Sequence, residues 1–101
     1  MAVFWITFRI EGQEGASDYN QKYVALQAVW HDITPMYWAE PTSFVIFEAE
    51  TTIDILASKI RNAINPKTDV VLIRENGKNN CRIVGQWEDD AIFSLMPGLK
   101  K

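Results

Sequence analysis

The stretch "VFWITFRIEG", residues 3–12, changes character at every step. Side chains of an extended strand point alternately to its two faces. Phe4, Ile6, Phe8 and Ile10 therefore share one face, and Trp5, Thr7, Arg9 and Glu11 share the other. The first set is a core face. The second combines an aromatic ring, a hydroxyl and a cation, and something outside the strand has to answer for it. Strict alternation with aromatic and β-branched residues predicts a strand over 3–10 with one fully buried side.

Working outward, "EGQEGAS" (11–17) is glycine-rich and charged, a loop. Ser17 is placed to cap the following helix, and Asp18 to meet its positive end. Tyr19, Tyr23, Leu26, Trp30 and Ile33 recur at steps of three and four, an amphipathic helix that Thr34-Pro35 ends. "MYWA" (36–39) and "SFVIFEAE" (43–50) read as a short and a longer strand joined by "EPT", a hairpin. "TTIDILASKIRNAI" (51–64) is a second helix. Its apolar stripe is Ile53, Leu56, Ala57, Ile60, Ala63 and Ile64, and Thr51 to Asp54 reads as a capping box with Asp in place of Glu. In "DVVLIRE" (69–75) the unbroken apolar run Val70–Ile73 suits a strand covered on both faces. "NGKNN" is a turn, and "CRIVGQW" (81–87) a further strand in which Gly85 marks a bulge or a close approach. The tail 88–101 carries one short helix before Pro97-Gly98. No internal repeat, linker or low-complexity tract interrupts this order.

The order β-α-β-β-α-β plus one strand predicts an α+β, ferredoxin-like split βαβ sandwich with an extra C-terminal strand. In it, two helices cover one face of a four-stranded antiparallel sheet whose first and third strands are central. The Trp5/Thr7/Arg9 face lies on the side that no helix covers, and an apolar open sheet face usually meets a partner.

With 101 residues the chain is expected to be a single domain, 1–101. No apolar run reaches the roughly 20 residues of a membrane span, and the N-terminal stretch, broken by Arg9 and Glu11, does not read as a signal peptide. A single cysteine, Cys81, cannot form an internal disulfide and suits a reducing, cytoplasmic setting. The net charge of −3 gives no global pull toward nucleic acid or anionic lipid. The balance is uneven: two bases face eight acids in residues 1–54, and eight bases face five acids in 55–101. Arg74, Lys78 and Arg82 stand in and around one turn and form a candidate phosphate-binding edge. The competing use of such charges is protection of a sheet edge.

Catalytic signals are weak. His31 is the only histidine and stands beside Asp32 at a helix end, where it serves either as a general acid or base or as a partner for the helix dipole. Glu11 is the other candidate. Cys81 sits in an apolar strand and reads as a small core or interface residue, and one histidine with one cysteine makes no zinc pattern. No phosphate-cradling glycine motif is present. The RNA-recognition topology would need third-strand aromatics two apart, whereas Phe44 and Phe47 are three apart and fall on opposite faces. Four tryptophans are many for this length. Trp30 belongs to the helix stripe, and Trp5, Trp38 and Trp87 are candidates for a subunit interface or for base stacking.

Taken together, the first strand, "YVALQAVW", "TSFVIF", "IDILASKIRNAI", "DVVLI" and the closing "GQW" resemble the SinR-like and VapD-like small proteins of the CRISPR adaptation protein (Cas-two) superfamily, a fold shared by the GhoS-type antitoxin. The resemblance spans about residues 2–87. It implies a homodimer on a ferredoxin-like sheet, in a defence or toxin–antitoxin setting that handles nucleic acid. In nuclease members the first strand ends in a hydrophobic-aromatic-Asp triplet whose acid holds a metal at the dimer axis. The matching triplet here is Thr7-Phe8-Arg9. A guanidinium cannot ligate a hard cation that takes oxygen donors. No metal or other cofactor is therefore expected, and Glu11, on the same face, is the one nearby acid that could stand in. The expectation is a non-catalytic dimeric module with Trp5, Thr7, Arg9 and Trp87 at its interface and a nucleic acid or protein partner. The alternative is an endoribonuclease of the Cas-two or GhoS type with a non-standard site built on His31 or Glu11.

Overall fold

The computed structural model describes residues 2–12 and 17–101. Its elements run β1 (Ala2–Arg9), α1 (Ser17–His31), β2 (Tyr37–Trp38), β3 (Phe44–Ala49), α2 (Ile53–Ala63), β4 (Val70–Glu75), β5 (Cys81–Gly85), α3 (Ala91–Leu95) and β6 (Leu99–Lys100). The chain is an α+β protein built on one six-stranded mixed sheet, ordered β2-β3-β1-β4-β5-β6. All neighbours are antiparallel except β5 and β6. The cap expected of the Ser17 side chain lies outside the described residues.

β1 is the frame on which the rest is laid. It pairs with β3 (Ile6 opposite Val45) and with β4 (Ile6 opposite Ile73). Those registers gather Phe4, Ile6, Val45, Phe47, Val71, Ile73 and Val84 on one face. There they meet Leu26, Val29 and Trp30 of α1 and Ile53, Leu56 and Ile60 of α2 in a single buried cluster. Phe8 packs edge-on against Tyr23, with ring centroids 5.9 Å apart. The helices form where their apolar stripes predict. The cap of α2 is one residue later than expected: Thr52, not Thr51, accepts the Ile55 N–H at 3.2 Å. Asp54 does not reach back to the cap but is taken by Arg82.

The opposite face holds a second, smaller cluster. Cys81, Ile83 and Leu99 are buried there, with Val70, Leu72, Trp87, Ile92, Phe93 and Met96 packed around them. This corrects the expectation that no helix covers that side: α3 and its flanks cover the β4–β5–β6 half. It also accounts for the unbroken apolar run of β4, whose Val71 and Ile73 face α1 and α2 while Val70 and Leu72 face the tail segment. A second correction concerns the tail, which ends in a strand of its own, β6, parallel to β5. Two residues are too few for alternation to show, so only the pairing of Leu99 with Cys81 and of Lys100 with Arg82 marks the strand.

Three chain segments are tied together at the end of β1 by Asp69, a carboxylate with no exposed surface. It accepts hydrogen bonds from the Glu11 N–H and the Asn65 N–H, both at 2.8 Å, and from Thr68 Oγ1 and Lys22 Nζ, both at 3.2 Å. The Asp69 carbonyl in turn accepts the Gln86 N–H at 2.7 Å.

Candidate functional site

The half of the sheet face left open by α3 carries Val3, Trp5, Thr7 and Arg9 of β1, Phe44, Ile46 and Glu48 of β3, Trp38 of β2 and Arg74 of β4. Their common side follows from register: Trp5 lies opposite Ile46 and Arg74, Thr7 opposite Phe44, and Trp38 opposite Ile46. Three rings from three strands form a row. Trp5 lies 6.1 Å from Phe44 in a stacked arrangement, and Trp38 lies 6.3 Å from Phe44 edge-on. Beside them Val3, Met36, Trp38, Ile46 and Glu48 line a shallow depression of about 260 Å³. Met36 is 66% exposed and Trp38 48%, so the row ends in apolar side chains held in water. The Trp38 indole N–H donates to the Glu40 carboxylate.

Arg9 does have a partner. Its Nε stands 3.2 Å from the Glu11 carboxylate, in a pair about half exposed on both sides. Thr7 Oγ1 donates to the Ser43 carbonyl at 3.1 Å. Trp5, Thr7 and Arg9 thus share one face. Trp87, grouped with them from sequence, does not join them. It packs on Phe93 with centroids 5.5 Å apart, donates to Asp90 Oδ1 at 2.9 Å, and carries the Lys101 ammonium over its ring.

The basic residues divide between the two faces. Arg74 points to the open side and donates to the Lys78 carbonyl at 3.1 Å. Lys78 Nζ stands 3.1 Å from Glu75. Arg82 lies one position out of phase, opposite Ile73, and binds Asp54 of α2 at 2.8 Å on the helix side. Arg82 holds the Asp54 carboxyl below its usual value by hydrogen bond and charge. Glu75 is held low in the same way, first by its hydrogen bond from Asn80 and then by Lys78. The turn therefore ties Arg74 to the Lys78 backbone, leaves the Lys78 ammonium on Glu75, and puts Arg82 on the other face.

His31 and Glu11 form no acid–base pair. Lys22 of α1 donates to the Glu11 carbonyl at 2.8 Å, and His31 ends that helix nine residues on, about 13 Å along its axis. His31 instead faces Tyr37, centroids 4.8 Å apart. Among the described residues no three His, Cys, Asp or Glu side chains gather at one point. Cys81 is fully buried.

Phe44, Ile46 and Glu48 of β3 are among the face residues that the sequence reading did not single out. Their signal was present in the parity of "SFVIFEAE", but parity names two faces and not which one is covered. Base stacking can also be judged at this row. The rings are in place, yet Arg9 is matched by Glu11, and Glu40 and Glu48 flank the aromatics. A phosphate backbone needs cations in excess. Comparison with protein-family models, with curated proteins and with solved structures finds no match.

Proposed function

We propose that this protein is a non-catalytic interaction module that works as a homodimer through the open half of its sheet. The observation that carries the reading is the row Trp5–Phe44–Trp38, with Val3 and Ile46, on the half of the sheet face that α3 and its flanks leave uncovered among the described residues. Large rings at the centre of an apolar patch are the usual anchors of protein interfaces. The charges favour a second copy as the occupant. Arg74 stands beside Trp5 on β4, and Glu48 beside Val3 on β3, so the two signs flank the aromatic strand on opposite sides. A twofold axis along β1 exchanges those sides. It sets Trp5 against Trp5 and brings the Arg74 end of β4 in one copy over β3 of the other, with Arg74 within reach of the partner's acidic flank. Isologous pairing asks for this kind of self-complementarity.

The order β2-β3-β1-β4 with two helices on one side also supports reading the first six elements as the ferredoxin-like split βαβ, and the chain as a divergent relative of the Cas-two-like small proteins. On that reading the setting is a cytoplasmic system that handles nucleic acid, and Arg9 stands where nuclease members hold an acid.

Light scattering across about 1–100 µM tests the dimer, since modest interfaces give micromolar constants. The wild type is expected at twice the chain mass. Trp5→Lys is expected as a monomer with an unchanged far-ultraviolet dichroism spectrum. A wild type of single-chain mass at the top of that range would rule the reading out.

A further inference from the structure

We infer that residues 87–101 form a strap that opens as a unit while the rest of the domain stays folded, and that its opening widens the apolar sheet face. The second half of this statement rests on the open face being the dimer platform; the first does not. The two clusters lie on opposite sides of the sheet, so the strap can leave without disturbing the packing of α1 and α2. Its own hold is slight. α3 has five residues and none of them is buried, and Asp90 at its start makes no side-chain capping bond. β6 pairs over two residues only, Leu99 with Cys81 and Lys100 with Arg82. Leu99 is the one residue of the segment that is buried. Elements with so few buried contacts open first.

Beneath the strap the sheet continues the open face without a break. Leu72 lies between Thr7 and Ile83, and Arg74 lies between Trp5 and Cys81. An open strap therefore joins Leu72, Ile83 and Cys81 to the row of Trp5, Phe44 and Trp38. The strap is the chain's own cover for that half, made from Trp87, Ile92, Phe93, Met96 and Leu99.

Cys81 reports the opening, because it is the only thiol and is fully covered when the strap is closed. The experiment labels the intact chain with a small aromatic disulfide reagent in urea well below the unfolding midpoint, and follows amide exchange of β1 and α2 in parallel. Labelling is expected at least about tenfold faster than global unfolding permits, with a shallow urea dependence and with β1 and α2 amides still protected. Phe93→Ala is expected to raise the labelling rate by roughly a further tenfold and to raise the dimer fraction at fixed concentration. Should that variant fail to fold, Trp87→Phe, which keeps a ring but loses the bond to Asp90, serves in its place. Labelling with the same urea slope as global unfolding would overturn the strap. Faster labelling without stronger association would overturn the widening. A wild type that stays monomeric sinks the dimer platform and the widening together, and the labelling then decides the strap alone.

Discussion

At the scale of the residue, Asp69 illustrates how one side chain is read differently from inside and outside the fold. In sequence it is an acid ahead of an apolar strand. In the fold it is wholly buried and takes two backbone N–H donors, a hydroxyl and the Lys22 ammonium. Removing it orphans the Glu11 and Asn65 N–H groups and leaves Lys22, whose side chain is 12% exposed, with only the exposed Asp18 carboxylate, 3.8 Å away, as an anion among the described residues. Asp69→Ala is therefore expected to cost about 3 kcal/mol, read as a lower urea midpoint at unchanged slope. Its carbonyl sets a second constraint. Gly85 has φ +101°, and a Cβ there would lie 2.0 Å from that oxygen. Close approach was one of two meanings the sequence allowed for Gly85, and the geometry selects it. Gly85→Ala is expected to destabilise by more than about 3 kcal/mol, since backbone and not a flexible side chain would have to move. Asp69 itself left no local signal, because all its partners except Thr68 are four or more residues away.

At the scale of the element, β1 shows what alternation can and cannot deliver. Its parity sorted Phe4, Ile6 and Phe8 from Trp5, Thr7 and Arg9, and the register with β3 and β4 keeps the two sets apart. The same rule places Arg82 and Arg74 on opposite faces, although a turn brings them close in sequence. Arg82 is thereby free to hold α2 to β5 through Asp54. The pH response follows from that pair and from Glu75. Both carboxyls titrate below their usual values in the folded chain, so each favours folding above its unfolded pKa. That contribution is lost as pH falls through the folded pKa of each group, which lies below the ordinary carboxylate value. Asp54→Asn and Glu75→Gln are expected to lower the urea midpoint at neutral pH, and their gap from the wild type is expected to shrink as pH falls through the folded pKa values. A constant gap across that range would mean that packing, not charge, accounts for the loss.

At the scale of the whole molecule, the sheet separates two apolar layers of unequal size, and the smaller one stops halfway. The half it leaves bare carries an aromatic row between charges of opposite sign. If a second copy covers it about an axis along β1, Glu48→Lys weakens the dimer and the added Arg74→Glu restores much of it, measured as the association constant by sedimentation. Failure of the second change to rescue the first would argue against that axis. The two long helices, the four principal strands and the contents of each strand face were legible in the chain, because these depend on periodicity and on chain-breaking residues that act within one element. Which face is covered, and by what, came from the packing of elements distant in the chain. Register between strands distant in sequence turned the Trp5 and Phe44 faces the same way, and a two-residue strand with a five-residue helix, too short to leave a period, brought Trp87 down on Phe93. Those outcomes rest on long-range contacts whose energies are shared among residues tens of positions apart, and no local pattern carries them.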